Sequence, residues 1–252
     1  MRIVINADDF GVSAEVTEEI SELLASRIIT STTLMANGDA FDLAVSRAKK
    51  IPNASFGVHL NLTSHASLTG ADVMRDAGIT DENGFFTKKI RQCQPTPQVK
   101  EAILAEWTAQ VNRVLEAGLE FSHFDSHHHV HTTPWLFMVL KRLQKSFGVR
   151  RVRISRTLYS CNEQPASRKL LLQKRMWNFC LRNLYRTRVT AGFTNFITFV
   201  ELLEGNCLPQ LPTLELMVHP GQPTSAKETE LLKSDWKSLS PKPLELISYA
   251  LV

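Results

Sequence analysis

The sequence predicts an α/β protein, a single-domain irregular (β/α) barrel of the TIM-like kind, and three observations carry that reading. β-Branched runs alternate with amphipathic helical stretches along nearly the whole chain, which is the order of parallel βαβ units. The length of 252 residues is one that such barrels reach as a single unit, here spanning residues 1–252. Polar residues collect at the ends of the predicted strands, where barrels of this class build their sites.

Taken in order, Arg2 to Ala7 reads as a first strand, broken by Asp8-Asp9-Phe10-Gly11. Ser13 is a good N-cap for a helix from Ala14 to Arg27, whose apolar positions Val16, Ile20, Leu23 and Leu24 recur at helical spacing. Thr30–Ala36 predicts a second strand, Asp39–Lys50 a helix stopped before Pro52, and Ser55–Leu62 a third strand. From Thr63 to Pro97 the pattern fails in a long excursion after the third strand, punctuated by glycines and prolines. A helix from Gln98 to Ala117, a histidine-rich fourth strand and a helix opened by Pro134 follow. Val149–Ile154 predicts a fifth strand, Tyr159–Pro165 a loop and Ser167–Arg188 a basic helix. Phe193–Phe199 and Leu214–Val218 read as further strands, Ala226–Lys237 as a last helix and Glu245–Ala250 as a final strand.

Bulk properties narrow the function. With 43% hydrophobic and 21% charged residues and a net charge of +4, the composition is that of an ordinary soluble globular protein. The basic excess lies mainly between Lys141 and Arg188 but lacks an aromatic-interleaved motif, so nucleic-acid binding is not expected. That segment reads most simply as an amphipathic helix with a solvated face. It could also form a subunit contact, giving a homodimer, or a rim that attracts an anionic carrier group. No run is apolar enough for a membrane span and no leader pattern opens the chain, so a cytoplasmic location is expected. Cys93, Cys161, Cys180 and Cys207 are widely spaced, which excludes a zinc ribbon and a disulfide framework.

The stretch His123-Phe124-Asp125-Ser126-His127-His128-His129-Val130-His131 holds five of the eight histidines. Such density is most economically explained by metal binding, since each buried ring nitrogen needs a partner. On an extended backbone Asp125, His127 and His129 would share one side. Other strand ends contribute Asp8, Asp9, His59, Asn61 and His219. One aspartate and two histidines around a divalent cation leave positions open for water and substrate. A free carboxylate beside them can act as base and a histidine opposite can protonate a leaving group. The ensemble suits hydrolysis of an amide or ester. Simpler readings compete residue by residue. Asp8-Asp9 could cap a helix, His59 could be a satisfied core histidine, and His219 before Pro220-Gly221 could be an exposed turn residue. Asn61 could be a local hydrogen-bond partner, and His123 and His131 could be structural.

Asn6-Ala7-Asp8-Asp9-Phe10-Gly11, Gly57-Val58-His59-Leu60-Asn61-Leu62-Thr63, the histidine stretch and His219-Pro220-Gly221 together resemble the signature blocks of the YdjC-like carbohydrate deacetylases, in family order along nearly the whole chain. The resemblance implies an irregular barrel related to polysaccharide deacetylases, with one divalent metal ion (Mg2+ or Zn2+), acting on an N-acetylated sugar or short oligosaccharide. It further implies Asp9, His59 and His127 as metal ligands, Asp8 as general base and His219 as acid or oxyanion partner. Asp125, Asn61, His128 and His129 would bind substrate or support the ligands. The alternatives are a metal-dependent hydrolase of another ester, a cyclic amide or a phosphoester, and a non-catalytic carbohydrate-binding protein. The chain departs from the longer members after Gly221, and the basic segment from Arg156 to Thr190 matches no motif.

Overall fold

A computed structural model describes residues 1–160, 163 and 166–252. Cys161 and most of the end of the expected loop Tyr159–Pro165 lie outside the described residues. Among the described residues seven strands form one parallel sheet, β1 (Arg2–Phe10), β2 (Ser31–Leu34), β3 (Ser55–Leu60), β4 (Phe124–Ser126), β5 (Gly192–Asn195), β6 (Thr213–Val218) and β7 (Glu245–Leu246). Their order across the sheet is β4-β3-β2-β1-β6-β5, and β7 pairs with β1. The sheet curls into an incomplete barrel with helices outside it, the fold class expected from the alternation.

The helices are α1 (Ala14–Ala25), α2 (Phe41–Ala48), the short α3 (Asp72–Asp76), α4 (Pro97–Glu116), α5 (Phe137–Phe147), α6 (Arg168–Asn183), α7 (Phe196–Glu204) and α8 (Ala226–Lys233). Ser13 caps α1 by accepting from the Val16 amide, and Thr96 caps α4 by accepting from the Val99 amide. A contiguous core runs between sheet and helices, with Ile3, Ile5 and Phe10 of β1 and Trp107 of α4 fully buried. Each such aliphatic or aromatic side chain contributes about 1.5–3 kcal/mol on burial.

The structure departs from the expected elements in five places, four of them in or between the barrel strands and the fifth at the end of the chain. First, β1 does not break at Asp8; it continues to Phe10, with a register shift against β2 between Ala7 and Phe10. Asp9 there takes a left-handed φ of 70°. Second, β4 is only Phe124–Ser126, and His127–Thr132 forms a tight turn in which His128 and His129 have φ of 50° and 53°. The alternation expected of a histidine-rich strand therefore stops at Ser126. Third, Val149–Ile154 is not a regular strand. Only isolated bridges join Val152 to Phe124 and Arg151 to Arg188, after which the chain crosses to β5, where the Thr157 amide donates to the Phe193 carbonyl. This irregular crossing spans the gap between β4 and β5. Fourth, the predicted strand Phe193–Phe199 turns into α7 after Asn195, whose side chain accepts from the Thr198 amide. That helix buries Phe196, Phe199, Val200, Leu202 and Leu203, and an apolar run buried on several sides carries no clear period.

The final strand is two residues rather than six and lies on the first half of β1, below β2. It leads Tyr249 inward, fully buried, with its ring stacked on His123 at 3.7 Å. Gly57 makes room for the same imidazole: a Cβ there would lie 2.5 Å from its ring.

Candidate functional site

Because all strands run parallel, their C-terminal ends meet at one mouth. There β1 supplies Asp8 and Asp9, β3 supplies His59, β4 supplies Asp125, and the turn after β4 supplies His127. The irregularity at Asp9 has a local consequence. Neighbours on a regular strand face opposite ways, yet both carboxylates lie close to His59, Asp9 in a group with His59 and His127, and Asp8 in a group with His59 and Asp125. A left-handed residue other than glycine costs on the order of 1–2 kcal/mol. Three of them, Asp9, His128 and His129, bracket this one pocket.

Asp9 Oδ1 lies 3.1 Å from His59 Nε2 and 2.8 Å from His127 Nδ1, while Gln222 Nε2 donates to Asp9 Oδ2 at 2.6 Å. The other nitrogen of His59, Nδ1, meets Asp125 Oδ1 at 2.7 Å, and the Thr33 hydroxyl donates to Asp125 Oδ2 at 3.0 Å. Asp125 thus orients the ring and leaves Nε2 directed at Asp9, the arrangement in which a carboxylate holds a metal-binding imidazole. Asp8 lies beside His59 and Asp125 but is held by a different partner. Arg153 grips it through two bonds, Nη1 to Oδ2 at 2.6 Å and Nη2 to Oδ1 at 2.7 Å, and Asn6 Nδ2 adds a third to Oδ1 at 3.0 Å. The same guanidinium contacts Asp125 Oδ2 at 2.9 Å and donates through Nε to Glu215 Oε1 at 2.6 Å. Glu215 Oε2 accepts from the Tyr249 hydroxyl at 3.0 Å.

The electrostatics follow from that packing. Three carboxylates, those of Asp8, Asp125 and Glu215, are buried around one guanidinium, and a fourth, that of Asp9, is buried beside His59 and His127. Burial alone would raise the Asp8 pKa, but the Arg153 charge and hydrogen bonds outweigh it and hold the carboxyl well below the usual range, with His59 and His219 adding to the effect. Burial likewise opposes ionisation of Asp9, and the hydrogen bonds and charges of His127 and His59 overcome it. His59 is buried, which disfavours its cation, yet the charge and hydrogen bond of Asp125, with Asp9 and Asp8 behind, push its pKa up to about 10. Glu215, by contrast, is pushed up to about 7, because burial outweighs its share of Arg153. The cluster is therefore short of positive charge, and buried charges must be compensated.

A divalent cation fits this deficit. The donor atoms of Asp9, His59 and His127 all lie within 4.8 Å of one another. Donors about 2.1 Å from a shared ion sit about 3 Å apart, close to the two spacings observed at Asp9 Oδ1.

The remaining expected residues sort differently. His219 follows β6 and is half-buried, its backbone amide donating to Glu228 at 2.7 Å, and it lines a cavity of about 460 Å³ with Asn195, Met217 and Glu228. His129 lines a neighbouring cavity of about 740 Å³ with Trp135, Lys174 and Trp177 and packs edge-on against Phe193. His128 is exposed, and its Nδ1 meets the Thr63 hydroxyl at 2.9 Å. Asn61 is fully buried and its amide is taken up locally, donating to Asn37 Oδ1 and the Ser64 carbonyl and accepting from the Thr63 amide. It organises the start of the excursion. His123 and His131 are buried in hydrogen bonds to Asn6 and Ser122, and to Ser126 and the Arg153 carbonyl.

Arg153, Gln222, Thr33 and Glu215 were not singled out from the sequence. A signal for Arg153 existed, since it stands near the end of the expected fifth strand, but its charge was submerged among the arginines that follow. Gln222 directly follows the His219-Pro220-Gly221 block. Gly221 gives the chain its turn there, at φ 78°, with no room for a Cβ against Val16.

The model of the YdjC-like protein family matches residues 2–242. The chain belongs to that family. Among its relatives, the carbohydrate deacetylase of Vibrio cholerae serotype O1 is 38% identical over 149 residues, 59% of this chain and 57% of that protein. The chain thus matches less than two thirds of that relative's length. The carbohydrate deacetylase of Oceanobacillus iheyensis is 34% identical over 224 residues, 88% of this chain and 86% of that one. A crystal structure from Enterococcus faecalis V583, of a protein named for cellobiose-phosphate cleavage, superposes with a TM-score of 0.77 over 98% of this chain and 97% of its own, at 23% identity. That likeness concerns the fold.

Proposed function

We propose that this YdjC-like protein is a metal-dependent hydrolase that removes the acetyl group from an N-acetylated sugar or short oligosaccharide. The observation that carries the reading is the buried carboxylate cluster, three of its members on Arg153 and the fourth, Asp9, with its donor atom within 4.8 Å of those of His59 and His127. The names of the family relatives support the substrate class. One divalent ion, Mg2+ or Zn2+, held by Asp9, His59 and His127, would polarise the acetyl carbonyl and make the attacking water more acidic.

The chain's own groups do the rest. Asp125 fixes His59 in the tautomer that carries its proton on Nδ1. Gln222 holds the second oxygen of Asp9 and sets its plane. Asp8 accepts the proton of the attacking water. Its low basicity is offset by position, because Arg153 holds the carboxylate rigidly through both oxygens. His219, across the mouth and close enough to lower the Asp8 pKa, donates a proton to the departing amine. His128, His129 and the cavity wall at Trp135 and Trp177 receive the sugar. The reading extends to a reducing, cytoplasmic setting, in keeping with thiols rather than a disulfide at Cys93 and Cys180.

Acetate release from N-acetylglucosamine oligomers tests the proposal. A chelator should abolish it and added Mg2+ or Zn2+ should restore it. Asp8→Asn and His219→Ala should each lower kcat by about 10²–10⁴ while binding of the ion, followed by calorimetry, persists. Wild-type rates in both variants would overturn the assignment.

A further inference from the structure

Outside the site, α6 is a basic helix without an acidic residue. Between Glu163 and Glu201 the chain has seven Lys and Arg and no acidic residue. The helix is amphipathic in an unexpected direction. Trp177, Asn178 and Leu181 face the protein, but Leu172, Met176 and Phe179 are 64%, 58% and 63% exposed. Their i, i+4, i+7 spacing places them in one outward stripe. Arg168, Arg175 and Arg182, seven residues apart, run along one edge of that stripe, and Lys169 lies on the other. Among the described residues none of these four basic side chains makes an ion pair.

The roll of the helix is fixed, so the apolar stripe cannot turn inward. Lys141 of α5 donates to the Leu181 and Leu184 carbonyls and to the Thr187 hydroxyl. Asn178 accepts from the amide and hydroxyl of Ser155, both at 2.9 Å. Large apolar side chains held outward beside unpaired cations call for a partner that is both apolar and anionic. A second copy of the chain supplies the apolar surface, but an isologous contact would set this uncompensated basic helix against itself. Nucleic acid supplies the charge but has no place for Leu172 and Met176. The boundary of an anionic lipid leaflet supplies both, with apolar side chains in the acyl region and arginines at the headgroups.

We propose that α6 seats this protein on anionic membrane surfaces, lying in the plane of the leaflet. No helix among the described residues is long and apolar enough to cross a membrane, and the attachment proposed for α6 is a peripheral one. The opposite side of the same helix, through Lys174 and Trp177, lines the cavity that holds His129. Docking by α6 therefore sets the mouth of the site beside the leaflet.

Co-sedimentation of the full chain with vesicles tests this. Vesicles of equal parts phosphatidylcholine and phosphatidylglycerol should pellet the protein at low salt, and pure phosphatidylcholine vesicles should not. The triple variant Leu172→Ser/Met176→Ser/Phe179→Ser, which alters only exposed positions and whose folding circular dichroism checks, should lose at least about tenfold in partition coefficient. Each of Arg168→Gln and Arg175→Gln should cost about fivefold, and high salt should weaken wild-type binding in step. Equal partition of wild type and triple variant, or indifference to phosphatidylglycerol, would overturn the proposal. So would a wild-type dimer by light scattering that the triple variant dissolves without any vesicle binding, or displacement from vesicles by duplex DNA that the triple variant binds equally well.

Discussion

Arg153 and the arginines of α6 lie within thirty residues of one another on the chain, and their surroundings are opposites. Arg153 is fully buried and shared among Asp8, Asp125 and Glu215. Arg168 and Arg175 stand in solvent, and among the described residues neither has an acidic partner. The first is a fixed counter-charge on which the geometry of a pocket depends. The others are mobile charges whose effect is felt at a distance and screened by salt. The same residue type thus serves precision in one place and attraction in the other, and burial together with partner count decides which.

The sharpest way to break that contrast is to neutralise the buried arginine. Arg153→Met would leave Asp8, Asp125 and Glu215 buried without their cation and should lower stability by about 3–5 kcal/mol. At about 2–4 °C per kcal/mol for a chain of this size, the melting temperature should fall by roughly 6–20 °C. A fall of only a degree or two would mean that the carboxylates find another counter-charge.

Protonation should separate the two regions as well. Burial, ahead of the Arg153 charge, pushes His131 down to about 3. The folded state therefore binds fewer protons than the unfolded chain once pH drops below 6.5, the ordinary histidine value. The stability that neutral His131 contributes is complete above pH 6.5 and is lost as pH falls toward 3. Melting temperatures measured across that window should show a shallower acid slope in His131→Gln than in wild type. An unchanged slope would remove His131 from the account of acid sensitivity.

Glu215 has the reverse sign. Its folded value of about 7 exceeds the ordinary 4.5, so the folded state holds the proton longer. Its contribution is complete below pH 4.5 and is lost as pH rises through 7. Glu215→Gln keeps an acceptor for Arg153 Nε and a partner for the Tyr249 hydroxyl. Relative to wild type, it should gain stability between pH 5 and 8, as read by denaturant midpoints. A variant that loses stability throughout that range would mean that Glu215 is ionised beside Arg153 at all these values.

What could be read from the sequence tracks the range of the interaction. Ser13 capping α1 and the alternation of strand and helix are local, and both appear in the structure. The blocks that placed Asp9, His59 and His127 together were legible because each ends a parallel strand or begins the turn after it. The histidine stretch misled in one respect, since its dense histidines follow β4 in a strained turn rather than extending it. Nothing local announces left-handed φ at His128 and His129. Phe196–Phe199 misled for another reason: a helix buried on several sides shows no helical period, and its cap Asn195 fits the end of a strand equally well. The pairing of Arg153 with Asp8 joins residues 145 apart, and no periodicity reports a contact of that kind. Its arginine was visible; its burial was not.

The smallest expected effect completes the contrast. Arg175 is exposed and makes no ion pair among the described residues, so Arg175→Met should shift the melting temperature by no more than about 2 °C in either direction. The same change at Arg153 differs only in what surrounds the guanidinium, so the pair of measurements isolates burial from residue type. Salt should distinguish them further. Raising ionic strength should leave the Arg153→Met deficit nearly unchanged, because a buried pair is screened little. Removing a like charge from the basic helix should relieve repulsion most at low salt, giving Arg175→Met a slight gain there that fades as salt is added. If the two variants respond to salt alike, Arg153 is more accessible to solvent than its surroundings indicate, and the division between fixed and mobile charge fails.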